Sequence, residues 1–228
     1  MGSEMCIRDR FMEGGGTTPW LGLVNKGLFD INQPSWGGWS GRFTREKVEN
    51  VWSRHKSVKP DEEKVAPFKV YREAPDTWTN PDTNNTLTGD FVPVWRWRKA
   101  MYANFQCRMD WCVKPYAEAN HHPVAVIDGD SNDTILRLTA KPGQTLKFNA
   151  SGSHDPDQDE LTFHWWQYRE AGTYPQEIAI ENIDAPSVSI QIPVDAVGTQ
   201  IHTVFELSDK NPIAPLYDYR RIVIDVTE

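Results

Sequence analysis

The second half of the chain is a series of short β-rich runs separated by turn residues. Within residues 161–165 apolar and polar positions alternate strictly, which places Leu161, Phe163 and Trp165 on one face of a strand. Seven or eight such runs follow one another at a spacing typical of an immunoglobulin-like sandwich. The predicted strands are 124–127, 135–140, 145–149, 161–168, 177–180, 188–192, 201–207 and 219–226.

The same alternation predicts where the aromatic side chains of this region point. Trp165 is the predicted core tryptophan, whereas Trp166 and Tyr168 face away from that core. Two interpretations stay open for this outward pair. The side chains of Trp166 and Tyr168 are buried against the first half of the chain, or they form an open face that binds a ligand.

The first half contains one clear helix, predicted over residues 92–113 and ended by Pro115. Apolar positions at intervals of three or four residues form one stripe on it. The stripe consists of Trp97, Met101, Phe105, Met109 and Cys112. Few strand signals precede the helix, with 68–72 as one candidate. This half is therefore interpreted as an α+β remnant of a larger α/β domain.

The distribution of charge divides the chain at the same place. Residues 11–120 carry 15 Lys and Arg against 13 Asp and Glu, while residues 121–228 carry 7 against 17. The shift predicts two units, 11–119 and 120–228. A formal net charge of -8 argues against binding to nucleic acid. No apolar stretch approaches the roughly 18 residues of a membrane span.

Residues 1–10 are predicted to be a non-native or disordered leader with few tertiary contacts. They have no apolar segment of the kind a signal peptide needs. The run 5–10 is similar to translated sequencing-adapter read-through, so we expect the true gene to extend upstream. Of the three cysteines, Cys107 and Cys112 are expected to be free thiols.

One acidic segment, 151–160, has carboxylates at alternate positions. Asp155, Asp157 and Asp159 form a candidate Ca²⁺ site, because Ca²⁺ prefers several oxygen ligands. The alternative is an acidic turn whose carboxylates bond nearby backbone N–H groups. No cofactor other than Ca²⁺ is expected. His121 and His122 are interpreted as a solvated junction between the two units.

Tryptophan is the most informative residue type for function. Trp36 and Trp39 bracket two glycines in a predicted loop, and Trp20, Trp52 and Trp78 also fall in the first half. Flat indoles stack on the apolar faces of sugar rings, so Trp36, Trp39, Trp166 and Tyr168 are the candidate carbohydrate-binding residues. The alternative is that these side chains fill an irregular interface. No catalytic residue is predicted, because no recognisable catalytic motif occurs.

Several longer blocks carry a resemblance to a known family. The chain resembles the C-terminal part of a bacterial family of cellulose-binding, nucleoside-hydrolase-like proteins, including its immunoglobulin-like domain. The matching blocks span most of the chain, and those at 108–113 and 165–174 are long and unusual in composition. They are 16–19, 25–28, 34–43, 95–98, 108–113, 118–123 and 165–174.

The resemblance implies a nucleoside-hydrolase-like α/β domain followed by an all-β immunoglobulin-like sandwich, in a protein that is secreted or periplasmic. The family's Asp-x-Asp-x-x-x-Asp-Asp motif does not occur here, so no catalytic residue is carried over. The implied function is a truncated, non-catalytic accessory protein that binds a polysaccharide such as cellulose. The alternatives are a fragment of an N-glycosyl hydrolase whose catalytic half is missing, and a structural immunoglobulin-like spacer.

Overall fold

The computed structural model of the chain describes residues 17–24, 27–46 and 70–228. The predicted leader at 1–10, Trp52 and the start of the predicted strand at 68–72 lie outside those residues. The first half contains helices α1 (Thr17–Leu23), α2 (Val92–Trp95) and α3 (Arg98–Trp111), 3₁₀ turns at Pro34–Trp36 and Tyr116–Glu118, and strands β1 (Phe43–Glu46), β2 (Val70–Glu73), β3 (Asp76–Thr79) and β4 (Thr86–Gly89). β1 pairs with β2 and β3 pairs with β4, both as antiparallel ribbons.

Seven strands form two sheets in the second half. They are β5 (Leu136–Ala140), β6 (Thr145–Asn149), β7 (Leu161–Gln167), β8 (Ile180–Glu181), β9 (Ser187–Gln191), β10 (Gln200–Asp209) and β11 (Tyr217–Val226). The four-stranded sheet has the order β5-β11-β10-β7, and the three-stranded sheet has the order β6-β9-β8. Only the β5–β11 pair among these is parallel. The predicted strand at 124–127 is replaced by isolated bridges at Val124 and Ile127.

The two sheets share one apolar core. Trp165 is 1% exposed, as the alternation predicted, and its ring stacks on Phe205 with centroids 4.3 Å apart. Its indole N–H donates to the carbonyl of Ala185 at 2.9 Å, which satisfies the polar end of a buried side chain. Phe148 of β6 and Ile190 of β9 belong to the same cluster, so side chains of both sheets fill it.

A second cluster lies on the opposite, outer face of the four-stranded sheet. Tyr168, Val204 and Tyr219 supply its sheet side. Elements of the first half supply the other side, among them Trp39 and Trp97. The first half is therefore packed against the outer face of the sheet through a buried aromatic layer.

Arg221 fixes this packing from the middle of β11. Its guanidinium is fully buried and donates to the carbonyls of Leu28, at 2.7 Å, and Gly37, at 2.9 Å. Gly27 comes so close to β11 that an added Cβ would lie 2.1 Å from the Tyr219 carbonyl oxygen, and its φ of +75° also favours glycine. The outer face thus holds residues 27–37 through both backbone and side-chain bonds.

The predicted helix over 92–113 is two helices, and the predicted stripe is wrong beyond its first turns. Trp97 and Met101 are buried, but Phe105 is 57% and Met109 49% exposed, and Cys112 is exposed as well. The buried face is made instead of small side chains, which let the helix approach the β10–β11 connection closely: Ala100, Ala103, Asn104 and Cys107. Cys107 and Cys112 are free thiols, as expected. Among the described helices, none is long and apolar enough to cross a membrane.

Candidate functional site, an aromatic cleft

A cleft of about 610 Å³ opens over the outer face of the four-stranded sheet. Its floor is formed by β7, β10 and β11, which place His164, Trp166, Glu206 and Tyr217 side by side. The β3–β4 ribbon forms one wall, and the segment joining α2 to α3 forms another. The floor is a paired sheet, and cross-strand hydrogen bonds join the two strands of the ribbon.

The ribbon wall owes its shape to threonine pairs. The hydroxyls of Thr77 and Thr88 lie 3.0 Å apart, and those of Thr79 and Thr86 lie 2.9 Å apart. These pairs lie at successive cross-strand positions, a recurrent way of stabilising an exposed antiparallel pair. They leave Trp78, which lies between them along β3, half-exposed along the cleft.

Five aromatic side chains line the cleft and reach solvent. Tyr102 is 44% exposed, and the other four are half-buried. They come from all three parts of the cleft and are Trp78, Trp95, Tyr102, Trp166 and Tyr217. Aromatic rings in a concave site offer large apolar faces at small cost in side-chain entropy.

A second cavity of about 390 Å³ adjoins the first along β7. Both cavities are lined by His164, Trp166 and Arg169, so the two form one longer depression. The second cavity continues toward Ile178 and Ile183, beyond the edge of the four-stranded sheet. A depression of this length suits an extended ligand better than a single small ring.

A buried carboxylate fixes the wall beside Trp166. The Asp76 side chain is inaccessible to solvent; it accepts from Arg42 Nε at 2.7 Å and from Arg96 Nη1 at 3.1 Å. It also accepts the hydroxyl of Tyr168 at 2.6 Å. Burial and the neighbouring Asp76 raise the pKa of that phenol, so Tyr168 stays a neutral donor. The guanidinium of Arg96 then lies 4.6 Å from the ring centroid of Trp166, a cation–π contact that holds the indole in place.

Glu206 is the acid of the floor. It lies on β10 between His164 on β7 and Tyr219 on β11. Burial raises the pKa of its carboxyl, while His164, Arg96 and Lys99 act in the opposite direction. Within the part of the chain that the structure describes, its carboxylate has no salt bridge and no hydrogen bond.

Ion pairs neutralise most other charges around the cleft. Lys99 lies 3.8 Å from Asp82, and Arg169 lies 3.9 Å from Glu177. His164 Nδ1 lies 2.7 Å from a carboxylate oxygen of Asp184. These rim pairs are exposed, and pairs of that kind contribute little to stability.

Of the four predicted carbohydrate-binding residues, one lines the cleft and three are buried. Trp166 lines the cleft, but Trp36, Trp39 and Tyr168 are 5%, 3% and 0% exposed and present no ring face to solvent. Trp36 packs edge-on against His202 at 4.8 Å. The two glycines between the tryptophans turn the loop toward the sheet rather than toward solvent, because Gly37 adopts φ +75° directly beside the Tyr168 hydroxyl. For these three residues the interface interpretation, not the sugar platform, agrees with the structure.

The predicted Ca²⁺ ligands do not form one site. Asp155 Oδ1 accepts from the backbone N–H groups of Asp157 and Asp159, and Asp159 Oδ2 accepts from Asn211. Asp157 accepts the backbone N–H of His121 at 2.6 Å. Among the described residues, no group of three or more His, Cys, Asp and Glu side chains is arranged to hold a metal. The acidic-turn alternative describes this segment.

The predicted junction at His121 and His122 is packed rather than solvated. The His121 ring stacks on Tyr116 with centroids 3.7 Å apart, and Asp157 holds its Nδ1 at 2.9 Å. The Nε2 atom of His122 is 2.8 Å from the Asn104 amide. Both histidines therefore connect helix α3 to the second half of the chain.

Sequence reasoning did not select Glu206, Tyr217, Tyr102 or Trp95 as site residues. A signal existed only for Glu206, a charged residue between the core residues Phe205 and Leu207 and hence on the outer face of its strand. The others became recognisable only when the fold joined residues far apart in the chain.

Comparison with known families agrees with the predicted resemblance. Residues 145–226 match a family profile described as cellulose-binding protein Sde0182, C-terminal domain. Residues 145–226, hereafter the Sde0182 domain, are therefore similar to the C-terminal domain of that protein. This domain supplies the floor of the cleft, since β7, β10 and β11 all lie within it.

A solved structure extends the likeness beyond the Sde0182 domain. It is a nucleoside hydrolase-related hypothetical protein from Saccharophagus degradans that is associated with carbohydrate metabolism. The two are 34% identical with a TM-score of 0.73 over 95% of this chain. The chain spans about half of that protein, 48% of its length. A comparison with curated proteins gives no match.

Two further solved structures are more distant. The endo-fucoidan hydrolase MfFcnA4 of glycoside hydrolase family 107 is 23% identical with a TM-score of 0.31, over 47% of this chain and 14% of its own. An internalin-like protein of Listeria monocytogenes is 14% identical with a TM-score of 0.24, over 41% of this chain and 28% of its own.

Proposed function

We propose that the chain is a carbohydrate-binding accessory protein that holds a polysaccharide strand in the aromatic cleft. The observation that carries the proposal is the set of five half-open aromatic rings around one concave sheet face, in a chain with the Sde0182 domain. Trp166 on the floor and Trp78 on the ribbon are the principal stacking residues. Polysaccharides of this kind are met outside the cell, so the proposed location is extracellular or periplasmic.

The chemistry of the cleft supports a sugar ligand over a purely apolar one. Sugar rings have apolar faces of C–H groups and a rim of hydroxyls, so they need both flat rings and polar partners. The cleft offers both, because His164, Gln167 and Glu206 lie beside the aromatic rings. A small number of polar groups within an aromatic lining is typical of sites that orient a ligand.

The proposal assigns no reaction to the chain. The metal-binding aspartate motif that nucleoside-hydrolase chemistry requires does not occur in the sequence. The competing function is a spacer that binds nothing in the cleft. A binding experiment separates the two directly.

The test is retention on insoluble cellulose and mobility in gels that contain soluble β-glucan. Wild type is expected to be retained, and Trp166→Ala and Trp78→Ala are expected to lose retention by about tenfold or more. Retention should persist at high salt, since stacking on a neutral surface is not screened.

Trp20→Ala is the matched control, because Trp20 is 41% exposed and lies outside the cleft. Thermal unfolding of each variant shows whether it is folded. Equal retention of folded Trp166→Ala, Trp78→Ala and wild type would leave the spacer function standing.

A further inference from the structure

An acid without a partner lies at the centre of the cleft floor. Glu206 is in the middle of β10, and its cross-strand neighbours are His164 on one side and Tyr219 on the other. Among the described residues, neither a salt bridge nor a hydrogen bond to its carboxylate is present. The residue is half-buried, so bulk water solvates it only in part.

This arrangement costs stability in the unliganded protein. A partly desolvated carboxylate without a hydrogen-bond donor is an unfavourable group. Its raised pKa has burial as the main cause, and the side chains that lower it, His164, Arg96 and Lys99, do not compensate for the burial. Groups of this type in a concave site are candidates for ligand contact rather than for structural support.

The charged side chains that line the cleft are of both signs. Four cations line it: Arg96, Arg98, Lys99 and Arg169. Three carboxylates lie in the same lining, Asp82, Glu177 and Glu206, and Asp76 lies behind Arg96, where it also pairs with Arg42. Arg96, Lys99 and Arg169 are already paired with carboxylates, so the unpaired carboxylate on the floor repels an anionic glycan at close range.

We propose that Glu206 is the specificity-determining residue of the cleft, accepting hydrogen bonds from the hydroxyls of a neutral hexopyranose unit that stacks on Trp166. A carboxylate accepts two hydroxyl bonds at once, and charge-assisted bonds are the stronger kind. The inference rests on the proposed function and adds the residue that selects a neutral glycan over an acidic one. The ligand hydroxyls supply the donors that the folded chain does not.

The experiment compares two soluble hexasaccharides of equal length by calorimetry, neutral cellohexaose and anionic hexagalacturonate. The proteins are wild type, Glu206→Gln, and Glu181→Gln as a matched control. Glu181 is an exposed residue of β8 that does not line the cleft. Trp78→Ala reports separately on whether the cleft binds sugar at all.

Wild type is expected to bind cellohexaose and to bind hexagalacturonate at least about tenfold more weakly. Glu206→Gln is expected to lose about tenfold or more of its cellohexaose affinity, the scale of a charge-assisted bond. It should also melt at the same or a higher temperature than wild type, since it removes a poorly compensated charge. Glu181→Gln should match wild type in both respects.

Other results would contradict the role of Glu206, the preference for a neutral glycan or the proposed function. If Trp78→Ala weakens cellohexaose binding and Glu206→Gln does not, the role of Glu206 is wrong and the proposed function stands. Equal affinity for the two hexasaccharides overturns the neutral-glycan assignment. A lower melting temperature for Glu206→Gln makes Glu206 a structural residue, and wild type that binds neither sugar overturns the proposed function as well.

Discussion

The two faces of the four-stranded sheet have opposite characters although the same strands build them. The inner face is mainly apolar, with Trp165, Phe205 and Ile222 packed against the other sheet. The outer face is aromatic and charged: it buries Arg221 and His202 under the first half of the chain and leaves Glu206 in an open cleft. The inner face determines that the sheets fold together, and the outer face determines what the assembly can bind.

Trp165→Ala tests the inner face, and we expect it to cause one of the two largest losses of unfolding free energy. Truncating a fully buried tryptophan leaves a cavity, which costs about 3–5 kcal/mol of unfolding free energy. Chemical denaturation measures it. A loss below about 1 kcal/mol would contradict the central place given to this side chain.

Asp76→Ala tests the outer face, and we expect it to lower the free energy of unfolding about as much as Trp165→Ala does. It leaves Arg42 and Arg96 buried without their carboxylate, for which we expect a cost of about 3–5 kcal/mol. Asp76→Asn keeps the size but not the charge and should recover only part of this stability. If both variants unfold like wild type in denaturant, the Asp76 network contributes nothing to the stability of the outer face.

The burial of His202 on the outer face predicts that the stability of the protein depends on pH. Burial, helped by the nearby Arg221 and Arg137, lowers the pKa of His202 from 6.5 to about 2. Between those values the unfolded chain binds a proton that the folded chain does not, so stability is full above pH 6.5 and falls as the pH is lowered. The slope contribution is up to about 1.4 kcal/mol per pH unit.

The measurement is the unfolding free energy of wild type and His202→Gln between pH 7 and pH 4.5. The variant has no titrating ring at this position, so its stability should fall less steeply in that range. Parallel curves for the two proteins would mean that His202 titrates normally in the folded state.

A substitution on the exposed side of helix α3 is expected to change stability the least. Phe105→Ala removes a side chain that is 57% exposed, and we expect a change within about 0.5 kcal/mol. Met101→Ala, one turn earlier and 5% exposed, should cost about 2–5 kcal/mol. A large loss of unfolding free energy in Phe105→Ala would support the apolar stripe that the sequence predicts.

The sequence predicted most strands of the second half because alternation is a local signal, but 124–127 is not a strand and 177–180 shares only Ile180 with β8. The strands at 145–149 and 161–168 were placed within one residue of β6 and β7, and Trp165 was assigned to the correct face. Alternation works here since one face of each strand enters an apolar core.

The cleft could not be predicted in the same way. Its rings come from residues as distant as Trp78 and Tyr217, which only the packing of the first half on the sheet brings together. Helix α3 misled the pattern analysis because its buried face consists of small residues such as Ala100 and Ala103, whose packing depends on what lies opposite. Trp36 and Trp39 were ambiguous for a related reason, since an indole suits a buried interface as well as a sugar.

The hydrogen bonds of Arg221 to Leu28 and Gly37 have a consequence for folding during synthesis in the cell. The Arg221 guanidinium bonds to the carbonyl of Leu28, which lies 193 residues earlier in the chain. At about 5–20 residues per second, ribosomal synthesis leaves about 10–40 s between the two. Throughout that interval Leu28 and its neighbours lack the surface on which they settle, and contacts of such sequence separation slow folding further. Leu28 and its neighbours therefore reach their native positions only after Arg221 has been synthesised.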